Sequence, residues 1–133
     1  MSDHALKGRT MQAHARRVTP SMPAHRAYVG GITPSKWWEI GRLQLRFLIE
    51  QGLRPHHPFL DCACGALRAG LWLVPYLDTG NYLGLDISAE LVETGCREEL
   101  GEALIAVKRP QFAINATFEL TSFDRPAAYG IAQ

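Results

Sequence analysis

The sequence predicts an α/β fold, a parallel sheet whose strands alternate with flanking helices. Three observations carry that expectation. Short apolar runs at Phe59–Cys62 and Tyr82–Asp86 each carry an acid at or near their end. The first run is followed at once by a turn of small residues, Ala63-Cys64-Gly65-Ala66. Segments with helical spacing lie between the runs. Strands and helices alternating at this spacing imply right-handed crossovers and a parallel sheet.

Taken in order, residues 1–27 read as a flexible basic arm, polar, punctuated by Pro20 and Pro23, and without periodicity. Gly30-Gly31 and Pro34 introduce the first convincing helix, which Ser35 can cap. Trp37, Trp38, Ile40, Leu43, Leu45, Phe47 and Leu48 give that helix bulk to bury, and Gly52 is a natural residue to end it. Pro55 and Pro58 frame a loop. The strand Phe59–Cys62 and its turn lead to a helix expected from Leu67 to Tyr76, with Leu67, Leu71 and Val74 at helical spacing. Asp78-Thr79-Gly80 turns the chain into the strand Tyr82–Asp86. Ser88 caps a helix running to Leu100, and Glu90 and Glu93 suit its positive end. A third strand fits Phe112–Ile114 after Pro110, and a fourth begins at Tyr129-Gly130-Ile131-Ala132, where the sequence stops.

Composition bounds the function classes. The 133 residues suit one domain, and 47% hydrophobic with 20% charged content is that of a globular chain. A net charge of +1 makes no case for nucleic acid. The charge is uneven, since Lys7, Arg9, Arg16, Arg17 and Arg26 face only Asp3 in the arm. Three cysteines without framework spacing favour a reducing, cytoplasmic setting. The start lacks the apolar core of a secretory signal. The most apolar stretch, Phe59 to Leu77, contains Asp61, Arg68 and Pro75, so no membrane span is expected. Cys62 and Cys64 have no further ligands nearby and read as packing residues, with no metal site.

The chemistry sits where parallel sheets bind ligands, beyond the carboxyl ends of the strands. Asp86 can accept hydrogen bonds from ribose hydroxyls. Ala63 and Gly65 let backbone approach a ligand closely, and the N–H groups near Gly65 and Leu67 lie beside a helix start, where a carboxylate would bind. Asp61 can hold a cationic amine; Arg68 can reach a carboxylate of the ligand or stand exposed as the partner of a nearby acid. A ligand with a ribose, a carboxylate and an ammonium group, such as S-adenosylmethionine, satisfies these together. A nicotinamide dinucleotide is the rival, because Gly65 and Asp86 stand 21 residues apart. Against it, Gly-x-Gly-x-x-Gly is absent, and Asp61 would repel a pyrophosphate.

Asp61-Cys62-Ala63-Cys64-Gly65-Ala66-Leu67-Arg68-Ala69-Gly70 resembles the first motif of class I methyltransferases, in the branch reading Asp-x-Gly-Cys-Gly-Ser-Leu-Arg-Gly-Gly. Tyr82-Leu83-Gly84-Leu85-Asp86-Ile87-Ser88 is similar to that family's second-strand motif, and Gly41-Arg42-Leu43-Gln44 and Tyr129–Gln133 also resemble this branch. The resemblance spans residues 28–133. It implies a Rossmann-like sheet truncated after its fourth strand, with an edge open to self-association, and S-adenosylmethionine-dependent methyl transfer to an unidentified acceptor. It places Asp61, Ala63, Cys64 and Gly65 at the methionine end of the cofactor, Asp86 and Ile87 at the ribose and adenine, and Asn115 and Ala116 at the adenine edge. It supplies no catalytic residue. Ala63 and Ala69 replace glycines of the pattern, and the former change suits a residue of negative φ. A non-catalytic cofactor-binding or interaction module is the alternative of a different class.

Overall fold

The computed structural model describes residues 22–28 and 33–124. The expected fourth strand and most of the basic arm lie outside these. Three parallel strands, β1 (Phe59–Cys62), β2 (Tyr82–Asp86) and β3 (Gln111–Ile114), form one sheet in the order β1-β2-β3. The register sets Asp61 opposite Gly84 and Gly84 opposite Phe112. Residues two apart on a strand share a face, so Phe59, Asp61, Tyr82, Gly84, Asp86 and Phe112 all project to one side. β2 is central and buried along nearly its whole length, as an apolar strand between two parallel neighbours should be.

The helices cover that side. They are α1 (Ala24–Tyr28), α2 (Pro34–Glu50), α3 (Gly70–Tyr76), α4 (Ala89–Gly95) and α5 (Glu102–Lys108). Leu67, Leu73, Val74, Leu77, Tyr82 and Val92 form the main core here, with Phe59 and Phe112 packed against it. On the opposite face Leu83, Leu85 and Ala113 meet Phe123, joined by Leu60 and Leu120.

Local physics explains where the elements depart from expectation. The cap of α2 is Thr33 rather than Ser35: its hydroxyl accepts the Lys36 N–H at 3.2 Å, and Pro34 takes the first helical position, where its missing N–H costs nothing. At the other end Gly52 adopts φ 106°, its N–H bonding Ile49 O while Leu53 N–H bonds Leu48 O. This is a Schellman closure with Leu48 and Leu53 both turned to the core. The bulk of α2 is only partly buried. Trp37 and Gly41 face inward, whereas Leu43 and Phe47 are 64% and 57% exposed, because α2 meets α3 and the preceding turn along one stripe.

Helix α3 starts at Gly70, three residues later than expected, since Leu67 has φ 66° and cannot belong to a right-handed helix. The helix after Ser88 is regular to Gly95 and then widens into a π-helical segment, Cys96–Leu100, closed by Gly101 N–H on Cys96 O at 2.9 Å. Ser88 caps it as expected, accepting the Leu91 N–H at 3.3 Å. Helix α5 was not anticipated. Gly101 at φ 79° restarts the chain, Glu102 occupies its first turn and Lys108 its last. Lys108 Nζ donates to Leu77 O at 2.8 Å, fastening α5 to the end of α3. Residues 24–27, placed in the arm from composition, form α1 together with Tyr28, and Ala27 is buried. No helix of the described residues is long and apolar enough to cross a membrane.

Candidate functional site

The site forms where β1, β2 and β3 end. The turn after β1 is wound tightly: Ala63, Gly65 and Leu67 all have positive φ, at 59°, 55° and 66°. Two helices press onto it through glycines. A Cβ on Gly95 of α4 would lie 2.7 Å from the backbone C and O of Ala66. One on Gly41 of α2 would meet Arg68 O and come within 2.7 Å of the Trp72 ring. Neither helix could approach so closely with a larger residue.

Asp86 ties the turn to the second strand. Its Oδ2 accepts the Gly65 N–H at 2.8 Å and its Oδ1 accepts the Ser88 N–H at 2.9 Å. Asp61, on the same face one strand away, accepts a hydrogen bond from the Tyr82 hydroxyl at 2.7 Å. Burial raises the Asp61 pKa; the Tyr82 hydrogen bond opposes this and the Asp86 charge adds to it. Tyr82 is pushed up in turn by its own burial and by Asp61. Burial likewise pushes the Cys64 thiol up, with help from Asp61 and Asp86, which disfavours the thiolate there.

Two cavities flank this turn, and Ala63 lines both. The smaller, about 180 Å³, is bounded by Gln44, Asp61, Cys64, Gly65 and Arg68. The larger, about 760 Å³, lies over the ends of β2 and β3 between Asp86, Ile87, Asn115 and Ala116, with Tyr28 and Phe118 on its rim. Nine of the ten expected residues therefore gather in two adjoining spaces. Leu67 does not. Its side chain is wholly buried in the core, and its N–H bonds Cys64 O at 3.1 Å. The Gly65 N–H, expected to meet a ligand carboxylate, is likewise taken by Asp86. Asn115 uses its side chain to build the next loop: Oδ1 accepts from Thr117 N and Glu119 N, and Nδ2 donates to Glu119 O.

Ala63 has the positive φ that its replacement of glycine was expected to forbid. With Ala63 in that conformation, the Cys64 N–H bonds Leu85 O at 3.0 Å. Gln44, Tyr28 and Phe118 were not singled out as site residues. Gln44 falls in the Gly41–Gln44 stretch that resembles the methyltransferase branch, and no local pattern points to the two aromatics. Among the described residues, no group of three or more His, Cys, Asp or Glu side chains could hold a metal ion. No protein-family model, curated protein or solved structure matches the chain.

Proposed function

We propose that this chain is the S-adenosylmethionine-binding part of a Rossmann-like class I methyltransferase, acting on an acceptor yet to be identified. The observation that carries the reading is the pair of cavities on either side of the turn, with Ala63 in the lining of both. The smaller holds an acid and a base, Asp61 and Arg68, on its walls. The larger is bounded mainly by apolar side chains, with Ser88, Asn115 and one carboxylate, Asp86, as its polar members. A zwitterionic amino-acid end and a nucleoside end, linked through one sulfur, match that division of charge and space.

Asp61 strengthens the match. A buried carboxylate whose neighbour is a second carboxylate is costly to ionise, and a cation placed beside it relieves the cost. An ammonium group on the ligand would supply such a cation. Arg68 is suited to the ligand carboxylate. Both Asp86 oxygens are already hydrogen-bonded, so the ribose hydroxyls would use their remaining lone pairs. The bound cofactor supplies an activated methyl group. Methyl transfer from such a ligand would be an in-line displacement, and this chain's part would be to hold ligand and acceptor in line. Alignment by the site can provide much of that catalysis, so no acid–base set is required.

Calorimetric titration with S-adenosylhomocysteine tests the reading. One-to-one binding is expected, and NADH fluorescence should not change on mixing with the protein. No heat and no thermal shift at millimolar S-adenosylhomocysteine would refute it.

A further inference from the structure

Tyr28, Ile87 and Phe118 are large apolar side chains that the fold leaves out of its core, at 47%, 74% and 70% exposed. All three border the larger cavity. Phe118 is held there by a left-handed backbone, φ 57°. Isolated exposed hydrophobes are ordinary, but three around one opening form an apolar slot. Tyr28 comes from a different part of the chain than the other two. It is carried on α1, which lies across the start of α4 beside Ser88 and Leu91.

At five residues α1 is too short to be stable alone. What holds it is a buried ion cluster. Glu99, with a side chain 1% exposed, accepts Arg26 Nε at 2.6 Å and Arg26 Nη2 at 2.8 Å, one on each carboxylate oxygen. His25 Nε2 lies 2.7 Å from the same Oε1. The Arg26 guanidinium sits over Trp37 and Trp38, at 5.4 and 5.2 Å from the ring centroids. Burial works against ionisation of Glu99, yet the hydrogen bonds and charges of Arg26 and His25 outweigh it and hold the carboxyl below its ordinary range. Glu99 is delivered by the π-helical segment, the one wide turn among the described helices. Such insertions are costly unless their geometry is used.

We propose that Tyr28 is a specificity-determining wall of the nucleoside cavity, stacking on the purine, and that Glu99 is its positioning residue, acting through Arg26 and α1. This rests on the nucleoside reading of that cavity. The fork-shaped grip fixes the orientation of α1, not merely its proximity. Orientation matters because a stacking ring must lie parallel to its partner to within a narrow range.

The test is a double-mutant cycle read by calorimetry with two probes, S-adenosylhomocysteine and 5′-methylthioadenosine, which share the purine and differ in the amino-acid end. Tyr28→Ala should weaken both by the same factor, about tenfold, and Tyr28→Phe should restore binding. Glu99→Gln should weaken both probes in the native background and have no further effect beside Tyr28→Ala. If Glu99→Gln does not fold, Arg26→Lys takes its place, keeping the charge and losing the fork. Full-strength binding by Tyr28→Ala, or a Glu99→Gln penalty that persists without Tyr28, would overturn the proposal. Failure of the unmutated chain to bind either probe would instead remove the nucleoside reading beneath it.

Discussion

The Asp86 carboxylate holds the Gly65 N–H at 2.8 Å, so the tip of the second strand fixes the turn that follows the first. One side chain thus serves both the architecture and the candidate pocket. Its other oxygen fixes Ser88 N at the entry to α4.

This dual role shapes the outcome of mutation. Asp86→Ala leaves two N–H groups without their acceptor and should lower stability by about 1–3 kcal/mol. Asp86→Asn keeps one acceptor and presents an N–H to the other donor, so its loss should be smaller. Both variants should also bind S-adenosylhomocysteine more weakly. Urea denaturation beside calorimetry separates the two effects; native affinity in a folded Asp86 variant would exclude this carboxylate from the ligand contacts.

Asp61 should trade stability for binding. Its carboxyl titrates above the ordinary value of 3.8, chiefly through burial. The folded state therefore holds this proton more tightly than the unfolded state does. The resulting stability is present below 3.8 and is lost as pH rises through the higher folded value. Asp61→Asn removes that loss while Asn can still accept the Tyr82 hydroxyl. The variant should be more stable than the parent at neutral pH, with the difference vanishing in acid, and should bind S-adenosylhomocysteine less well. Equal stabilities across this range, by denaturation at stepped pH, would contradict the assignment.

Glu99 carries the opposite sign. Its folded pKa lies below the ordinary 4.5 because its partners outweigh the cost of burial. Its contribution is present above 4.5 and fades as pH falls through the lower folded value. Glu99→Gln should thus remove stability at neutral pH and flatten the acid limb. An acid limb identical to that of the parent would show that the Arg26 grip contributes nothing to folding.

Ala63 sits at φ 59°, a conformation that costs an ordinary residue about 1–2 kcal/mol. Ala63→Gly relieves this and gives back part of the gain as chain entropy. A net rise in stability of about 0.5–1 kcal/mol is expected. Gly95→Ala should act in the other direction, since its methyl would meet the Ala66 backbone at 2.7 Å. A loss of about 1–3 kcal/mol fits an overpacked contact between rigid elements. Thermal denaturation reads both.

Much of the fold was legible in local chemistry. β1 and β2 begin and end where short apolar runs and their turns place them, and Gly52 and Ser88 behave as their residue types require. The misses share a cause. Leu67 shows helical spacing, yet the turn needs it in a left-handed conformation that no pattern records. Leu43 and Phe47 have the composition of a core and lie on the outer stripe of α2. α1 escaped because its hold comes from Glu99, more than seventy residues away. The candidate site was readable where backbone and strand-end acids define it. Its aromatic rim was not, since Tyr28 and Phe118 reach the cavity only through tertiary contacts.

The pocket itself is best tested by amide chemical-shift mapping. The ¹⁵N-labelled chain, titrated with S-adenosylhomocysteine, should show saturable shifts concentrated at Ala63, Gly65, Asp86, Ile87 and Asn115, with the far ends of the strands unmoved. Shifts that never saturate, or that cluster away from Ala63, would contradict a nucleoside and an amino acid bound on either side of that residue.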